Sequence, residues 1–158
     1  MAKLKIITEP DPILRKVSKP VTDFDARLHQ LLDDMTETCR SVAGLGLAAV
    51  QVGILYRACI VQTATGTITR NGPDSQGDFV ELINPEIVLA ANPSLGEEGC
   101  LSVKLGHGNV RRPQIVRVRA QDRHGNTFKR DFHGMEAVCV CHEIDHLDGI
   151  LFTDKVEG

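Results

Sequence analysis

Aromatic residues are scarce in this chain of 158 residues, which has no tryptophan, one tyrosine and five phenylalanines. Proteins that bind single-stranded nucleic acid stack the bases on exposed aromatic rings, and this composition does not favour that role. The formal net charge of −3 argues against a protein that coats nucleic acid, because neutralising phosphates requires an excess of lysine and arginine. We therefore expect no direct specificity for nucleic acid.

Long apolar runs are missing as well. No segment approaches the roughly 18 consecutive apolar residues that span a bilayer, so we expect no membrane association. The opening MAKLKIITEPDPILRK has no apolar central region and no cleavage site, and a signal peptide is not expected. The five cysteines are odd in number in a chain long enough to fold without disulfides, which indicates a reducing compartment. A cytoplasmic protein is the expectation; an organellar one stays open if a transit peptide precedes this sequence.

The length predicts a single domain over residues 1–158. Three prolines in the first twenty residues predict an extended segment draped over this domain. Apolar residues then recur at helical spacing from Phe24 to Cys39 and predict a helix capped by Thr22 or Asp23 and ending near Val42. A last helix is predicted over 135–147. Its apolar positions, expected to face a core, are Met135, Val138, Cys139 and Ile144.

Strand patterns occupy the region between the two helices. They are predicted over 57–63, 79–83, 86–91 and 115–120, with a turn at 122–125 and a returning strand over 126–132. Residues 64–78, rich in Thr, Gly, Asn and Asp, predict an exposed hairpin loop. This order predicts an α+β fold. Antiparallel strands would pack around the C-terminal helix, and the N-terminal helix would cover the sheet.

The most informative segment is HEIDH at positions 142–146. On a helix His142 and His146 share one face, so both imidazoles can reach one metal ion, and Glu143 can face a water on that ion. This is the minimal apparatus for metal-assisted hydrolysis. Asp145 is interpreted as a supporting or helix-packing residue, with a solvent-facing position as the alternative.

A catalytic site of this kind needs a third protein ligand. Only twelve residues follow His146 and none is His or Cys; Asp154 and Glu157 are possible carboxylate ligands in a short tail. We favour Cys100, which follows Gly99 and can bind Zn²⁺ or Fe²⁺ as a thiolate. The alternative for a lone cysteine is an inert buried thiol.

Three separated motifs resemble the peptide deformylase family: GLGLAAVQ at 44–51, EGCLS at 98–102 and HEIDHL at 142–147. Shorter matches are DPILR at 11–15, INP at 83–85 and DGILF at 148–152, so the resemblance covers nearly the whole chain. Taken alone, the first motif could be mistaken for a phosphate loop, but it lacks the Lys-Ser/Thr of that motif.

The resemblance implies removal of the N-formyl group from the initiator methionine of nascent bacterial and organellar proteins, with release of formate. It assigns one divalent metal ion to Cys100, His142 and His146, with water as fourth ligand. Fe²⁺ is the expected native ion, and Zn²⁺, Ni²⁺ or Co²⁺ can replace it. Glu143 would take a proton from the metal-bound water and deliver one to the leaving amine.

The resemblance also implies the remaining site residues and the partners. The Gln51 amide and the Leu101 backbone N–H would form the oxyanion hole. The partners would be N-formylmethionyl peptides and nascent chains, bound transiently at the ribosome in the bacterial cytoplasm. The sequence gives no clear sign of oligomerisation, and a monomer is the default expectation. The substrate-binding residues implied are Gly44, Leu45, Gly46, Gly99, Met135, Val138, Cys139 and His107, with Gly46 on the substrate backbone and Leu45, Met135, Val138 and Cys139 around the methionine side chain.

Two departures from the family pattern leave alternatives open. Cys141 stands where the family commonly has glutamine, and residues 104–108 replace a stretch with a proline and an arginine; His107 occupies the arginine's place, and Arg111 or Arg112 could compensate. The alternatives are a divergent, weakly active or inactive metal-binding relative, a small metallopeptidase, and a structural zinc site.

Overall fold

The computed structural model describes residues 3–63, 68–69, 72–73 and 78–157. Helix α1 (Ala26–Ser41) precedes the first strands, and helix α2 (Met135–Leu147) follows the last long one. Short 3₁₀ turns cover Pro12–Arg15, Ala49–Val52 and Phe152–Asp154. The strands are β1 (Gly46–Ala48), β2 (Ala58–Gln62), β3 (Ile68–Thr69), β4 (Gly72–Pro73), β5 (Phe79–Cys100), β6 (Val103–Gln121), β7 (Thr127–His133) and β8 (Val156–Glu157).

The main sheet is antiparallel, in the order β1-β2-β5-β6-β7, with β8 paired to β6. Two helices and an antiparallel sheet confirm the predicted α+β class. The predicted exposed hairpin over 64–78 lies largely outside the described residues; within it, β3 pairs with β4. In the part of the chain that is described, no helix is long and apolar enough to cross a membrane.

Strand β2 lies between the two helices, which explains why its first four residues, Ala58–Val61, are all apolar rather than alternating. Ala58 and Ile60 are buried in the cluster that contains the apolar face of α1. Cys59 and Val61 point the other way, into the cluster that contains α2. Because side chains alternate along a strand, each helix receives one face of the sheet. The sheet therefore fixes α2, and with it the HEIDH segment, from one side.

Helix α1 begins later than predicted. Its N-cap is Asp25, whose carboxylate accepts from the Leu28 N–H at 3.1 Å, rather than Thr22 or Asp23. Before the helix, the Asn84 side chain, 63 residues away in the sequence, pairs with both the N–H and the C=O of Val21. This pairing fixes Val21 in an extended segment, and Asp25 caps the helix that follows.

The β5–β6 hairpin is much longer than predicted, since the strand patterns ended at residue 91 and resumed only at 115. Its outer part is rich in proline and glycine, which argue against a strand, yet Pro93 and Pro113 sit opposite each other in the ladder. At the tip, Cys100 pairs with Val103, while residues 104–107 lie opposite the single residue Gly99. The segment that departs from the family pattern is therefore a bulge beside Cys100.

Helix α2 buries Ala137, Val140, Ile144 and Leu147 against the sheet. The expectation that Met135 faces a core is wrong: this first helical residue is 64 % exposed, because the helix emerges from the sheet at its N-terminal end. Val138 and Cys139 are only partly buried. One face of α2 thus belongs to the core, and its first two turns leave an open side.

Candidate metal centre and substrate cleft

Two elements bring three ligand atoms together. Helix α2 places the Nε2 atoms of His142 and His146 at 3.2 Å from each other, one helical turn apart. The hairpin tip places the Cys100 Sγ at 3.3 Å from the His146 Nε2. The three ligand atoms lie within 4.8 Å of one another, and both histidines are largely buried.

These three residues fit a metal ion. A tetrahedral ion with bonds of about 2.0–2.3 Å separates its nitrogen and sulfur ligands by roughly 3.3–3.6 Å, close to the spacings found here. Two imidazole nitrogens that face each other across 3.2 Å cannot both keep their lone pairs unshared. A single cation bound between them, within reach of the Cys100 sulfur, would accept a lone pair from each of the three ligand atoms.

Glu98 orients the first histidine. Its Oε1 lies 3.0 Å from the His142 Nδ1, so Nδ1 donates and Nε2 is left facing the site. Burial raises the pKa of the Glu98 carboxyl, but hydrogen bonds from His142 and Arg112 outweigh it and lower that pKa to about 2. For His142 the two effects have the opposite signs. Burial lowers its pKa, but the hydrogen bonds with Cys100 and Glu98 outweigh burial, and the net effect is a raised pKa.

Arg112 links Glu98 to the metal-binding helix. It is 3 % exposed, donates twice to the Glu98 carboxylate at 2.8 and 3.1 Å, and donates to Asp145 at 2.6 Å. Asp145 also pairs with Lys155 at 3.1 Å, so it supports the helix and is not free in solvent. Arg112 thus holds the hairpin against α2, and it also lines the cavity beside the cluster, so the suggestion that it replaces a cleft arginine stays a prediction. Arg111 is exposed and pairs with Glu157.

His146 is fully buried, and no residue in the described part of the chain bonds its Nδ1. Burial lowers its pKa, as do the positive charges of His142 and Arg112. The ring is therefore neutral, which is the form that binds a metal.

Glu143 lies beside the cluster as a buried carboxylate, 4 % exposed. Its Oε1 has no hydrogen-bond partner among the described residues. Burial raises its pKa to about 7, against the lowering effect of His142 and Arg112. A Cβ at position 46 would lie 2.9 Å from the other carboxylate oxygen, so Gly46 leaves the room this side chain occupies.

Gln51 reaches the site from the 3₁₀ turn after β1. Its Oε1 accepts from the Ala48 N–H at 2.9 Å, which turns the amide nitrogen toward the Ser102 Oγ at 3.0 Å and the Cys100 Sγ at 3.8 Å. The Ser102 N–H faces the same sulfur at 3.4 Å. The Leu101 N–H donates to no residue that the structure describes.

A cavity of about 610 Å³ opens from this cluster. Cys139 lies against its wall, with its Sγ 3.4 Å from the Leu45 carbonyl oxygen. His107, on the bulge, packs its exposed ring over Gly99, where a Cβ would lie 2.8 Å from the ring. All eight residues expected to bind substrate line the cavity: Gly44, Leu45, Gly46, Gly99, His107, Met135, Val138 and Cys139.

Sequence reasoning assigned no role to Glu98 or Ser102, and it did not predict the bonds that Arg112 makes. Glu98 and Ser102 stand two residues either side of Cys100, and their position in the motif was the available signal. Arg112 offered none, because its partners lie 14 and 33 residues away along the chain.

Comparison with known proteins agrees with this geometry. The sequence profile of the polypeptide deformylase family matches residues 3–158. The peptide deformylase of Caldicellulosiruptor bescii is 52 % identical over 156 residues, 99 % of this chain and 87 % of that protein. The crystal structure of a peptide deformylase from Legionella pneumophila superposes with a TM-score of 0.89 at 38 % identity, over 99 % of this chain and 87 % of that one. A class I type b peptide deformylase from Acinetobacter baumannii bound to Met-Ala-Ser gives 0.89 at 35 % identity, over 98 % and 99 %.

A helix with HEIDH, a cysteine on a hairpin tip and a buried glutamate beside them define a metal-dependent hydrolase. The chain belongs to the polypeptide deformylase family. It is accordingly a metal-dependent enzyme that removes the N-formyl group from formyl-methionine at the start of polypeptides and releases formate.

Proposed function

We propose that deformylation takes place at the Cys100–His142–His146 cluster, with Glu143 as the group that accepts and returns the proton. The observation that carries this assignment is the Glu143 carboxylate, which is buried beside the cluster with one oxygen unpaired and a pKa raised to about 7. A general base is most effective when its pKa lies near the working pH.

The cluster would hold one divalent ion, which when bound supplies a Lewis acid and lowers the pKa of water in its open position. We propose Fe²⁺ as the native ion, with Zn²⁺, Ni²⁺ or Co²⁺ as substitutes. Imidazole and thiolate donors suit each of these ions, so the choice of Fe²⁺ rests on the family resemblance. Activity of the Fe²⁺ form that decays in air, beside a stable Ni²⁺ form, would support it; equal stability would contradict it.

Glu143 takes a proton from the attacking water as the new C–O bond forms at the formyl carbon. The same carboxyl then gives a proton to the amine nitrogen as the C–N bond breaks, leaving formate and the free α-amine. Both transfers use one side chain because the carboxyl alternates between its charged and neutral forms, which a pKa near 7 makes accessible.

Gln51 and Leu101 face the position where negative charge develops. The Gln51 amide nitrogen is aimed at the site because Ala48 fixes its oxygen. The Leu101 N–H is left without a protein acceptor in the described part. Two such donors, fixed before the reaction, stabilise an oxyanion.

The peptide part of the substrate would bind along residues 44–46. Strand β1 is the terminal strand of the sheet, and no strand among the described residues pairs with its other edge, so a peptide strand can be added there. The methionine side chain would then enter the cavity among Leu45, Val138, Cys139 and Met135. Gly44, Gly99 and His107 would flank the rest of the peptide.

We propose nascent chains at the ribosome as the transient source of this substrate, because formyl-methionine stands at the N-terminus of newly made polypeptides. A monomer in the bacterial cytoplasm fits that role. The extent of one domain over 1–158 also stays a prediction.

The test is formate release from formyl-Met-Ala-Ser by protein loaded anaerobically with Fe²⁺ or Ni²⁺. We expect Glu143→Ala to keep the metal and lose roughly 10²–10⁴-fold in rate, the contribution of a general base. Glu86→Ala, an exposed glutamate on β5, is the control and should stay active.

Near-normal turnover of Glu143→Ala would remove Glu143 from the mechanism. A parental protein that binds one metal ion without turnover would instead be the divergent relative. Release of methionine from unformylated Met-Ala-Ser would indicate the metallopeptidase.

A further inference from the structure

The first residues of the chain take no part in the chemistry above, yet they pass directly behind it. The N-terminal strap, residues 3–19, makes two backbone hydrogen bonds there. The Ile7 N–H donates to the Gln51 carbonyl oxygen at 2.7 Å, and the Glu9 N–H donates to the Ser102 carbonyl oxygen at 2.8 Å. The two donors are only two residues apart, whereas their acceptors are 51 residues apart in the sequence.

These two acceptors belong to residues whose side chains meet in the site. The Gln51 Nε2 donates to the Ser102 Oγ at 3.0 Å, and both residues are almost fully buried. Gln51 comes from the 3₁₀ turn after β1, and Ser102 from the hairpin tip. The strap therefore joins, from behind, the two elements whose relative position sets the direction of the Gln51 amide.

The strap is itself fixed before and after this point. The Leu4 N–H donates to the Thr38 Oγ1 of α1 at 2.8 Å, and the Ser18 N–H donates to the Leu147 carbonyl at the end of α2 at 2.8 Å. The Ile7 side chain packs on the small core that contains Val103, Leu151 and Phe152, with Cys100 at its border. Because the strap is bound on both sides of Ile7 and Glu9, it can keep the Gln51 and Ser102 carbonyl groups at a fixed distance from each other.

We propose that the backbone N–H groups of Ile7 and Glu9 are positioning groups of the enzyme, which hold Gln51 and Ser102 at the spacing that aims the Gln51 amide into the site. This inference rests on the proposed role of Gln51 in oxyanion stabilisation. The strap touches no substrate and acts only through Gln51 and Ser102.

Ile7→Pro removes the first N–H while keeping an apolar side chain. We expect kcat for formyl-Met-Ala-Ser to fall about tenfold, since small misplacements of a catalytic group are costly, with KM and metal content unchanged. Two controls accompany it. Ile7→Ala keeps the N–H and loses packing, so it should lower Tm but keep kcat. Lys5→Pro places proline at an exposed strap position whose N–H bonds to no described residue, and should keep both.

A double-mutant cycle separates positioning from general destabilisation. Gln51→Ala alone should lower kcat roughly 10²–10³-fold, the cost of an oxyanion-hole donor. Ile7→Pro should then cost nothing further in the Gln51→Ala background. If Gln51→Ala leaves kcat unchanged, the proposed role of Gln51 fails. The strap inference fails in two cases, both with a lowered kcat for Gln51→Ala. In the first, Ile7→Pro leaves the kcat of the parent unchanged. In the second, the double variant loses the product of the two single losses in kcat.

A second variant covers the case in which Ile7→Pro does not fold. Ligation of a synthetic segment 1–38 to a recombinant segment beginning at Cys39 gives the full chain with an ester in place of the Ile7 amide, which replaces the N–H with an oxygen and keeps the side chain. We expect the same tenfold fall in kcat. We also expect a shift of the ¹⁵N-labelled Gln51 side-chain amide, identified by its loss in Gln51→Ala. An unshifted resonance with unchanged kcat would overturn the inference.

Discussion

Strand β6 carries several arginines, and its middle and its far end give them opposite surroundings. Midway along the strand, Arg112 is 3 % exposed and bonds Glu98 and Asp145. Further along, Arg117 and Arg119 face solvent, where they pair with Asp131 and Glu86. The ion pairs have similar N···O distances, 2.6–2.8 Å. Distance alone therefore does not tell which pair matters, and burial does.

The difference follows from solvation. Removing one partner of a buried pair leaves the other charge without water or counter-charge, which is expensive. An exposed pair returns to water and loses little. The buried arginine also has a task that the exposed ones lack, since it fixes Glu98, and Glu98 fixes His142. The metal-binding region is thus held by the buried ion pairs of Arg112 with Glu98 and Asp145, and removing any one of these side chains lowers the stability of the fold.

The largest effect is expected for Cys100→Ser. Zinc binds protein sites with roughly 10–16 kcal/mol, so one of three protein ligands accounts for about 4 kcal/mol, a thousandfold in affinity. Metal content after dialysis against a weak chelator measures this. Cys141→Ala, the neighbour of His142, is the control and should keep its metal. If Cys100→Ser retains one ion per chain, Cys100 is not a metal ligand, and the metal site does not include the hairpin tip.

Arg112→Ala comes next and tests the buried network itself. Breaking a buried pair costs about 3–5 kcal/mol, and we expect the lower end, about 3 kcal/mol, because Asp145 keeps Lys155 and Glu98 keeps His142. For a chain of this size, this corresponds to a fall in Tm of roughly 6–12 °C. Calorimetry of the metal-free protein beside Arg119→Ala measures it. Equal Tm values for the two variants would show that burial does not make the ion pairs of Arg112 more stabilising than that of Arg119.

Glu98→Gln sharpens the comparison by keeping the size of the side chain while removing the carboxylate that pairs with both His142 and Arg112. A carboxylate on the outer nitrogen of a metal-binding histidine is worth about 10–100-fold in metal affinity. We expect a loss in that range, measured by competition with a chelator of known affinity. Glu97→Gln, one residue earlier and exposed, should bind metal as the parent does. An unchanged affinity for Glu98→Gln would reduce the network to a packing role.

The same contrast explains how much of the molecule could be predicted from the sequence. The HEIDH helix could be predicted because its ligand spacing is local, and the α+β order followed from hydrophobic periodicity. The buried network could not, because Arg112 meets Asp145 only after the hairpin folds onto α2. The strap bonds of Ile7 and Glu9 are made by backbone groups, which every residue except proline carries.

The misplaced boundaries have equally physical causes. Helix α1 starts at Ala26, capped by Asp25, and the segment before it is bound at Val21 by Asn84, a contact across 63 residues. The long β5–β6 hairpin escaped prediction because its prolines and glycines disfavour strands locally, and only pairing with the opposite strand shows that they are tolerated. In each case tertiary structure outweighs a local preference, and the sequence pattern records only the preference.

The smallest effect is expected at the other end of the comparison. Arg117 and Asp131 sit opposite each other on β6 and β7, both exposed, so Arg117→Ala should leave formate release and Tm indistinguishable from the parent. Any residual difference in Tm should shrink in 1 M salt, which weakens the attraction between exposed charges. The measurement is thermal unfolding at low and high salt beside Arg112→Ala. A drop in Tm that approaches that of Arg112→Ala and persists in salt would mean that cross-strand geometry, rather than burial, sets the contribution of an ion pair in this sheet.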